Sequence, residues 1–100
     1  MSKILVEICC GSADDAIEAK KAGADRVELN TALFLGGLTP SIGSLKLAKE
    51  AGIEVMAMVR PREGGFCYTP AEFETMKIDA RTMIEAGADG IVFCCLCENG

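Results

Sequence analysis

The sequence predicts an α/β fold in which parallel strands alternate with crossover helices, and two observations support this prediction. At residues 22–25, 51–54 and 86–89, an alanine and a glycine close a helical pattern and a strand pattern follows directly. Glycine suits the position after a helix because it adopts a positive φ without strain. After each glycine, apolar residues recur at every second position, which is typical of strands. Repeated strand–helix units favour a parallel sheet, with binding and catalytic residues at the C-terminal ends of its strands.

The first unit has clear start and stop signals. Strand one is predicted at residues 4–9 and strand two at residues 26–30, both with alternating apolar and polar side chains. Between them, Ser12 is placed to cap a helix, and Asp15 follows three residues later. Gly23 then ends this first helix.

The second unit begins with a long loop. Residues 36–41 of this loop lead into a second helix, which we expect to stop at Gly52. Strand three is predicted at residues 54–60. Pro61 ends this strand because proline has no N–H to donate to a strand ladder.

The third helix has the most distinct start. Thr69 is a cap residue, Pro70 occupies the first helical position and Glu72 completes a capping box. Apolar side chains then recur at helical spacing, which predicts one buried face. Strand four is predicted at residues 91–95 or a little beyond.

Three and a half strand–helix units account for the whole chain. A closed barrel of eight such units occupies at least about 200 residues. The pattern therefore predicts the N-terminal part of a single (β/α)8 TIM-barrel domain over residues 1–100. We expect either a fragment of such a barrel or a half-barrel that pairs with something else.

The composition argues against several classes of partner. The formal net charge is −5 and there is no basic cluster, so we expect neither nucleic-acid binding nor attachment to an anionic membrane. No run reaches the roughly 18 apolar residues of a membrane span, and the N-terminus does not resemble a signal peptide. These features predict a cytoplasmic protein. Cysteines 9 and 10, and 94 and 95, are adjacent pairs within predicted strands, which indicates reduced thiols.

Alternation within the strands separates a helix-facing side from a side that faces the barrel interior. Glu7, Glu28 and Arg60 are predicted to share the interior side, and Arg62 follows on from strand three. Charged side chains there are costly unless they pair or reach solvent. One interpretation is an ion network in which Arg60 neutralises both glutamates. The other is a polar site in which the arginines bind an anion and a glutamate acts as acid, base or ligand.

The thiols also allow two interpretations. Cysteine is often simply a buried apolar residue. However, Cys9 and Cys94 are predicted to share the interior side near the C-terminal ends of their strands, and two thiolates there would suit a soft ion such as Cu(I). Cys94 and Cys97 also have the C-x-x-C spacing of redox and metal motifs. Because the chain has no histidine, it cannot build a histidine-based zinc site or a Ser–His triad.

Several motifs follow one another in an order that is specific to one protein family. They lie at residues 7–9, 12, 23–29, 36–41, 43, 60–62, 66, 68 and 87–93. Together they resemble the N-terminal half of the CutC family, the copper homeostasis proteins. The resemblance extends over essentially all of the chain.

This resemblance implies a cytoplasmic TIM barrel, usually oligomeric, that is associated with copper tolerance and Cu(I) binding and has no settled enzyme activity. It also implies copper-associated cysteines at the ends of strands one and two. Cys9 occupies the first of these positions, whereas Asn30 occupies the second. Cys94 replaces a family glycine and could supply the thiol that Asn30 lacks. The loop at residues 60–66 departs from the family pattern as well, because it lacks an aspartate and its glycines are shifted.

Three hypotheses of function follow from these observations. The first is a copper-handling protein that binds Cu(I) through Cys9, with Cys94 or Cys67 as the partner ligand. The second is an enzyme of unknown substrate that acts on a small anionic, for example phosphorylated, molecule. Its binding residues are then Glu7, Glu28, Arg60 and Arg62, with the two glutamates as candidate catalytic groups. The third is a truncated barrel without independent activity. In all three, a homo-oligomer is expected.

Overall fold

The computed structural model describes residues 3–100, which form a parallel four-stranded sheet with helices on one face. The strands follow one another across the sheet in the order β1, β2, β3, β4. In chain order the elements are β1 (Glu7–Cys10), α1 (Ala13–Lys21), β2 (Arg26–Leu29), a 3-10 helix (Leu33–Leu35), α2 (Ile42–Glu50), β3 (Glu54–Met58), α3 (Pro70–Glu85) and β4 (Gly90–Val92). The structure confirms the predicted parallel α/β fold.

Each α-helix begins with a side-chain cap, and two of these caps were expected from the sequence. The Ser12 hydroxyl accepts a hydrogen bond from the Asp15 amide at the start of α1. The Thr69 hydroxyl accepts from the Glu72 amide, and the Glu72 carboxylate accepts in return from the Thr69 amide. The predicted capping box of α3 is therefore complete. Such caps fix the residue at which a helix begins, because they bind backbone amides that have no partner within the helix.

The glycines of the repeated motif end the helices as predicted. Gly23, Gly52 and Gly87 have φ values of 94°, 86° and 109°. These angles lie in the left-handed region, which strongly favours glycine. Each glycine thus turns the chain from a helix into the next strand.

The core lies between the sheet and the helices. Alternate strand residues point towards the helices and are fully buried, as are helix residues such as Ala16 and Leu45. The strand residues of this layer are Cys10, Val27, Leu29, Val55 and Ala57. We call the opposite side of the sheet, which carries Glu7, Cys9 and Glu28, the open face.

The strands are shorter than the sequence pattern predicts. β1 begins at Glu7 rather than at residue 4, because the ladder with β2 starts where Glu7 pairs with Arg26. β4 ends at Val92 rather than near residue 95. Its neighbour β3 ends at Met58, which pairs with Val92, so the residues beyond have no strand to continue the ladder.

The long loop after β2 contains a turn that the sequence did not reveal. The 3-10 helix Leu33–Leu35 is flanked by Ala32, with φ of 49°, and Gly36, with φ of 93°. A short antiparallel bridge between Thr31 and Leu38 closes the base of this turn. The loop therefore folds back over the C-terminal edge of the sheet. Within residues 3–100, no helix is both long and apolar enough to cross a membrane.

Candidate functional site

The strand register places polar side chains of the open face next to one another. Glu7 pairs with Arg26, and Cys9 pairs with Glu28. Paired residues of parallel strands project to the same side of a sheet. The prediction that Glu7, Cys9 and Glu28 share one side is therefore consistent with the register.

Glu7 forms its ion pair with Arg26, not with Arg60. The Arg26 Nε donates a hydrogen bond to a Glu7 carboxylate oxygen, and both side chains are about one-third exposed, at 33% and 30%. The predicted network in which Arg60 neutralises both glutamates is wrong. Glu7 pairs with Arg26 instead because the strand register places Arg26 directly beside it on the neighbouring strand.

Arg60 instead ties two loops together through backbone carbonyls. Its Nη1 donates to the carbonyl oxygens of Leu35 and Gly37, at 3.2 and 3.3 Å, and its Nη2 donates to that of Gly64 at 2.9 Å. The guanidinium also lies over the Phe66 ring, 5.0 Å from the centroid. Arg60 therefore connects the loop after β2 to the loop after β3.

Arg62 is bound to the start of α3. Its Nε and Nη2 donate to the two carboxylate oxygens of Glu72, at 2.7 and 3.3 Å. The Thr69 amide and then Arg62 lower the pKa of Glu72. The guanidinium also lies 4.6 Å from the centre of the Tyr68 ring. Both arginines predicted to bind an anion thus already bind protein groups, and Arg62 has a carboxylate partner of its own.

A small polar group forms around Cys9 at the C-terminal end of β1. The Asn30 amide nitrogen donates to the Glu28 carboxylate at 3.2 Å and contacts the Cys9 sulfur at 3.5 Å. Asn30 is only 2% exposed, and its amide also reaches the carbonyls of Cys10 and Glu28. Burial, and then the negative charges of Glu28 and Glu7, raise the pKa of the Cys9 thiol. The Cys9 thiol therefore holds its proton more tightly than a cysteine free of these influences.

The structure does not bring Cys9 and Cys94 together. β1 and β4 are the two edge strands, with β2 and β3 between them. Three spacings of about 4.8 Å separate the edges by roughly 14 Å along the sheet, whereas a metal–thiolate bond is about 2.3 Å long. This separation along the sheet favours separate roles for the two thiols over one shared Cu(I) site. In the part of the chain that the structure describes, no three Cys, Asp, Glu or His side chains are grouped to hold a metal ion.

The exposed thiols nevertheless all lie towards the C-terminal ends of the strands. Every cysteine is unpaired, and all except Cys10 are exposed. Cys9 and Cys10 lie in β1, Cys67 lies in the loop after β3, and Cys94, Cys95 and Cys97 follow β4. The Leu96 amide donates to the Phe66 carbonyl at 2.9 Å, so the segment after β4 runs beside Cys67. We call Cys67, Cys94, Cys95 and Cys97 the loop thiols.

A cavity of about 210 Å³ opens at the C-terminal ends of β3 and β4. Arg60, Tyr68 and Cys94 line it together with apolar side chains such as Met58 and Phe66. Two polar atoms of these residues, Arg60 Nε and the Tyr68 hydroxyl, are buried and hydrogen-bond to no protein group. Sequence analysis did not identify Tyr68 as a binding residue. One sequence signal was available: each arginine is followed six residues later by an aromatic residue, Phe66 after Arg60 and Tyr68 after Arg62. In the structure, the loop places each of these arginines over its aromatic ring.

Comparison with known proteins identifies relatives over nearly the whole chain. The model of the CutC family matches residues 4–100. A CutC family protein of Treponema denticola is 58% identical over 101 residues, which cover 100% of this chain and 41% of that protein. The human copper homeostasis protein cutC homolog is 46% identical over 97 residues, which cover 96% of this chain and 36% of that protein.

A solved structure shows the same fold. The crystal structure of a copper homeostasis protein CutC from Streptococcus agalactiae superposes with a TM-score of 0.88 at 39% sequence identity. The match covers 97% of this chain and 48% of that one. The chain thus spans less than half the length of the relatives it matches. The four strands and three α-helices correspond to part of a TIM-barrel-like fold.

Proposed function

The chain belongs to the CutC family, and from this membership we propose that it takes part in copper handling by binding Cu(I) through its exposed thiols. One observation carries this proposal: five unpaired, exposed cysteines lie along the C-terminal edge of one parallel sheet. Thiolates are the ligands that Cu(I) prefers among protein side chains. The relatives named for copper homeostasis support the same function.

The geometry favours two separate thiol locations rather than one shared site. Cys9 lies on β1 beside Asn30 and Glu28. The loop thiols lie at the other edge, where the segment after β4 runs beside the loop after β3. We therefore propose Cys9 and the loop thiols as independent Cu(I) ligands, in place of the predicted pair of Cys9 with Cys94.

Cu(I) binding at Cys9 is expected to depend on pH. The metal binds the thiolate, so each binding event at Cys9 releases the proton that burial and the nearby carboxylates hold on its sulfur, because they raise its pKa. Affinity at Cys9 should consequently rise with pH.

A competition titration with a Cu(I) chelator under reducing conditions tests the proposal. Cys9→Ser should weaken Cu(I) binding, whereas Cys10→Ser is the matched control because Cys10 is buried on the helix side of the sheet. Replacing all four loop thiols by serine in the Cys9→Ser variant should abolish the Cu(I) binding that remains. Equal effects of Cys9→Ser and Cys10→Ser would exclude Cys9 as a ligand, and absence of binding by the unmodified chain would overturn the proposal.

The enzymatic hypothesis has less support. Glu7 is neutralised by Arg26, and Arg62 is neutralised by Glu72. These pairs leave few of the charged groups that the hypothesis assigns to a substrate.

Location and assembly also belong to the proposal. We place the function in the cytoplasm because free thiols persist where glutathione and thioredoxin keep them reduced. Exposed apolar side chains near both edge strands, Ile4 at 84% and Phe93 at 60%, support self-association.

A further inference from the structure

We infer that Cys67 and Cys95 are a redox site, at which a small-molecule disulfide such as oxidised glutathione joins the two thiols in a disulfide bond within one chain. Both cysteines are free and exposed in the structure. Cys67 lies in the loop between β3 and α3, and Cys95 follows β4. Formation of this bond does not depend on the proposed copper function, although its effect on Cu(I) binding rests on that function.

One backbone hydrogen bond joins the two segments that carry these cysteines. The Leu96 amide donates to the Phe66 carbonyl at 2.9 Å. Tyr68 comes two residues after this carbonyl, and Cys94 comes two residues before this amide. Tyr68 and Cys94 line the same cavity, which indicates that the segments run in opposite directions, since parallel segments would carry these two residues apart. The two cysteines of the redox site are then direct neighbours across the segments.

Antiparallel neighbours of this kind are close enough for a disulfide bond. Phe66 and Leu96 occupy a hydrogen-bonded position. The adjacent position, where Cys67 lies opposite Cys95, is a non-hydrogen-bonded one, at which Cα atoms are about 4.5 Å apart and side chains approach more closely. Disulfides join cysteines whose Cα atoms are usually about 4.4–6.8 Å apart. The pair can therefore form the bond with little movement of the backbone.

The two thiols also lie on the same side of these segments. Phe66 and Tyr68 line the cavity, so Cys67 between them points away from it, because side chains alternate along an extended chain. Cys94 lines the cavity as well, whereas Cys95 lines a separate apolar groove against α3. Both thiols of the redox site thus point away from the cavity.

The other loop thiols are less suitably placed for a bond with Cys67. Cys97 lies two residues beyond Cys95, which makes it a diagonal neighbour about 7–8 Å away, outside the usual disulfide range. Cys94 lines the cavity, to the opposite side from Cys67. Residues 94–97 form no helical turn that would bring the two ends of their C-x-x-C spacing together. The geometry therefore favours Cys95 as the partner.

The reaction is a thiol–disulfide exchange in two steps. The thiolate of one cysteine attacks a sulfur of oxidised glutathione, forms a mixed disulfide and releases one glutathione thiolate. The second cysteine thiolate then attacks the protein sulfur of the mixed disulfide, and the second glutathione thiolate leaves. The chain loses two electrons and two protons, and one oxidised glutathione becomes two reduced ones. With the loop thiols acting as Cu(I) ligands, oxidation removes two of them and lowers Cu(I) uptake.

Equilibration of the metal-free chain with mixtures of reduced and oxidised glutathione tests the inference. After alkylation of the remaining thiols, trypsin leaves Cys67 in the peptide 63–77 and the three cysteines after β4 in the peptide 82–100. Mass spectrometry should find these peptides joined through Cys95, and the alkylated thiols should fall from six to four because one disulfide consumes two. A bond within the peptide 82–100, a junction through another cysteine, or bonds only between chains would overturn the inference.

Serine variants assign the bond to its two cysteines. Cys67→Ser and Cys95→Ser should each lose the joined peptides, whereas Cys97→Ser is the matched control and should keep them. Joined peptides that persist in Cys95→Ser would contradict the assigned pair. If a variant does not fold, fragmentation of the joined peptides from the unmodified chain still identifies the bonded cysteines.

A Cu(I) titration separates this inference from the proposed function. The oxidised chain, kept free of oxygen and of thiol reductants, should take up less Cu(I) than the reduced chain. Unchanged uptake in a chain that carries the disulfide would exclude Cys67 and Cys95 as Cu(I) ligands and leave the redox site standing. Cu(I) binding by a reduced chain that forms no disulfide in oxidised glutathione would overturn the redox site alone.

Discussion

Arg26 and Arg60 both follow the alternation of the open face, yet their surroundings differ. Arg26 lies within β2 and pairs with a carboxylate on the adjacent strand. Arg60 lies beyond the end of β3 and donates to carbonyls of two loops. Within the ladder, the register gives each side chain a fixed neighbour. Beyond the ladder, the loops decide the neighbours, and there the structure leaves buried polar atoms unpaired.

The largest difference between these regions should appear on removing each guanidinium. Arg60→Met takes the donor away from three carbonyls, and we expect it to lower the free energy of unfolding by about 3 kcal/mol. Arg26→Met breaks a partly exposed ion pair, which should cost less than about 1 kcal/mol. Urea denaturation of both variants measures the difference. Equal losses would mean that Arg60 contributes no more to stability than a surface ion pair.

Two glycines with nearly the same φ sharpen the comparison. Gly36 and Gly23 have φ of +93° and +94°, but a Cβ at Gly36 meets Arg60 at 2.6 Å and a Cβ at Gly23 meets nothing within 4 Å. Gly23→Ala should cost about 1–2 kcal/mol from backbone strain alone. Gly36→Ala should cost about 1–3 kcal/mol more, because Arg60 must move. Thermal unfolding of both variants checks this, and similar losses would show that the guanidinium yields easily.

The smallest expected effect concerns two aspartates of the repeated motif, Asp25 directly before β2 and Asp89 directly before β4. Asp25 accepts a hydrogen bond from the Val6 amide, and Asp89 accepts from the Val55 amide, both at 2.8 Å. Burial opposes ionisation of Asp89, but Lys49 and the Val55 amide outweigh it and lower its pKa. Lys3 and the Val6 amide lower the pKa of Asp25.

Each aspartate therefore binds its proton less tightly in the folded state than in the unfolded state. Its contribution to stability is present above the unfolded pKa, near 4, and is lost as the pH falls through the lower folded value. Asp25→Asn and Asp89→Asn should each flatten the acid side of the stability profile slightly, and by less than either arginine or glycine substitution changes stability. Unfolding measured from pH 6 to pH 3 tests this, and an unchanged acid slope in both variants would contradict the shared role.

Local sequence signals predicted much of the fold. Ser12 and Thr69 act as caps, and Gly23 and Gly87 end their helices, because each effect depends on residues within one turn. The turn around Leu33 escaped prediction because it depends on Ala32 in the left-handed region, which alanine rarely adopts.

The candidate site was predictable only in part. Alternation placed Glu7, Cys9 and Glu28 on one side of the sheet, as the register indicates. It did not show that Asn30 would bind Glu28, or that Tyr68 would share a cavity with Arg60. Those contacts depend on how the loops and strands pack in space.

By itself, the sequence determined which way each strand residue points and where each helix starts and stops, because side-chain alternation and capping are set by neighbours along the chain. Tertiary structure decided the partners. Glu7 meets Arg26 because β1 pairs with β2 in one register, and Arg60 meets the carbonyls of Leu35 and Gly64 because two loops close over the sheet edge. Alternation along a strand specifies the face of the sheet on which a side chain lies. The residue that it contacts depends on which strands and loops pack together.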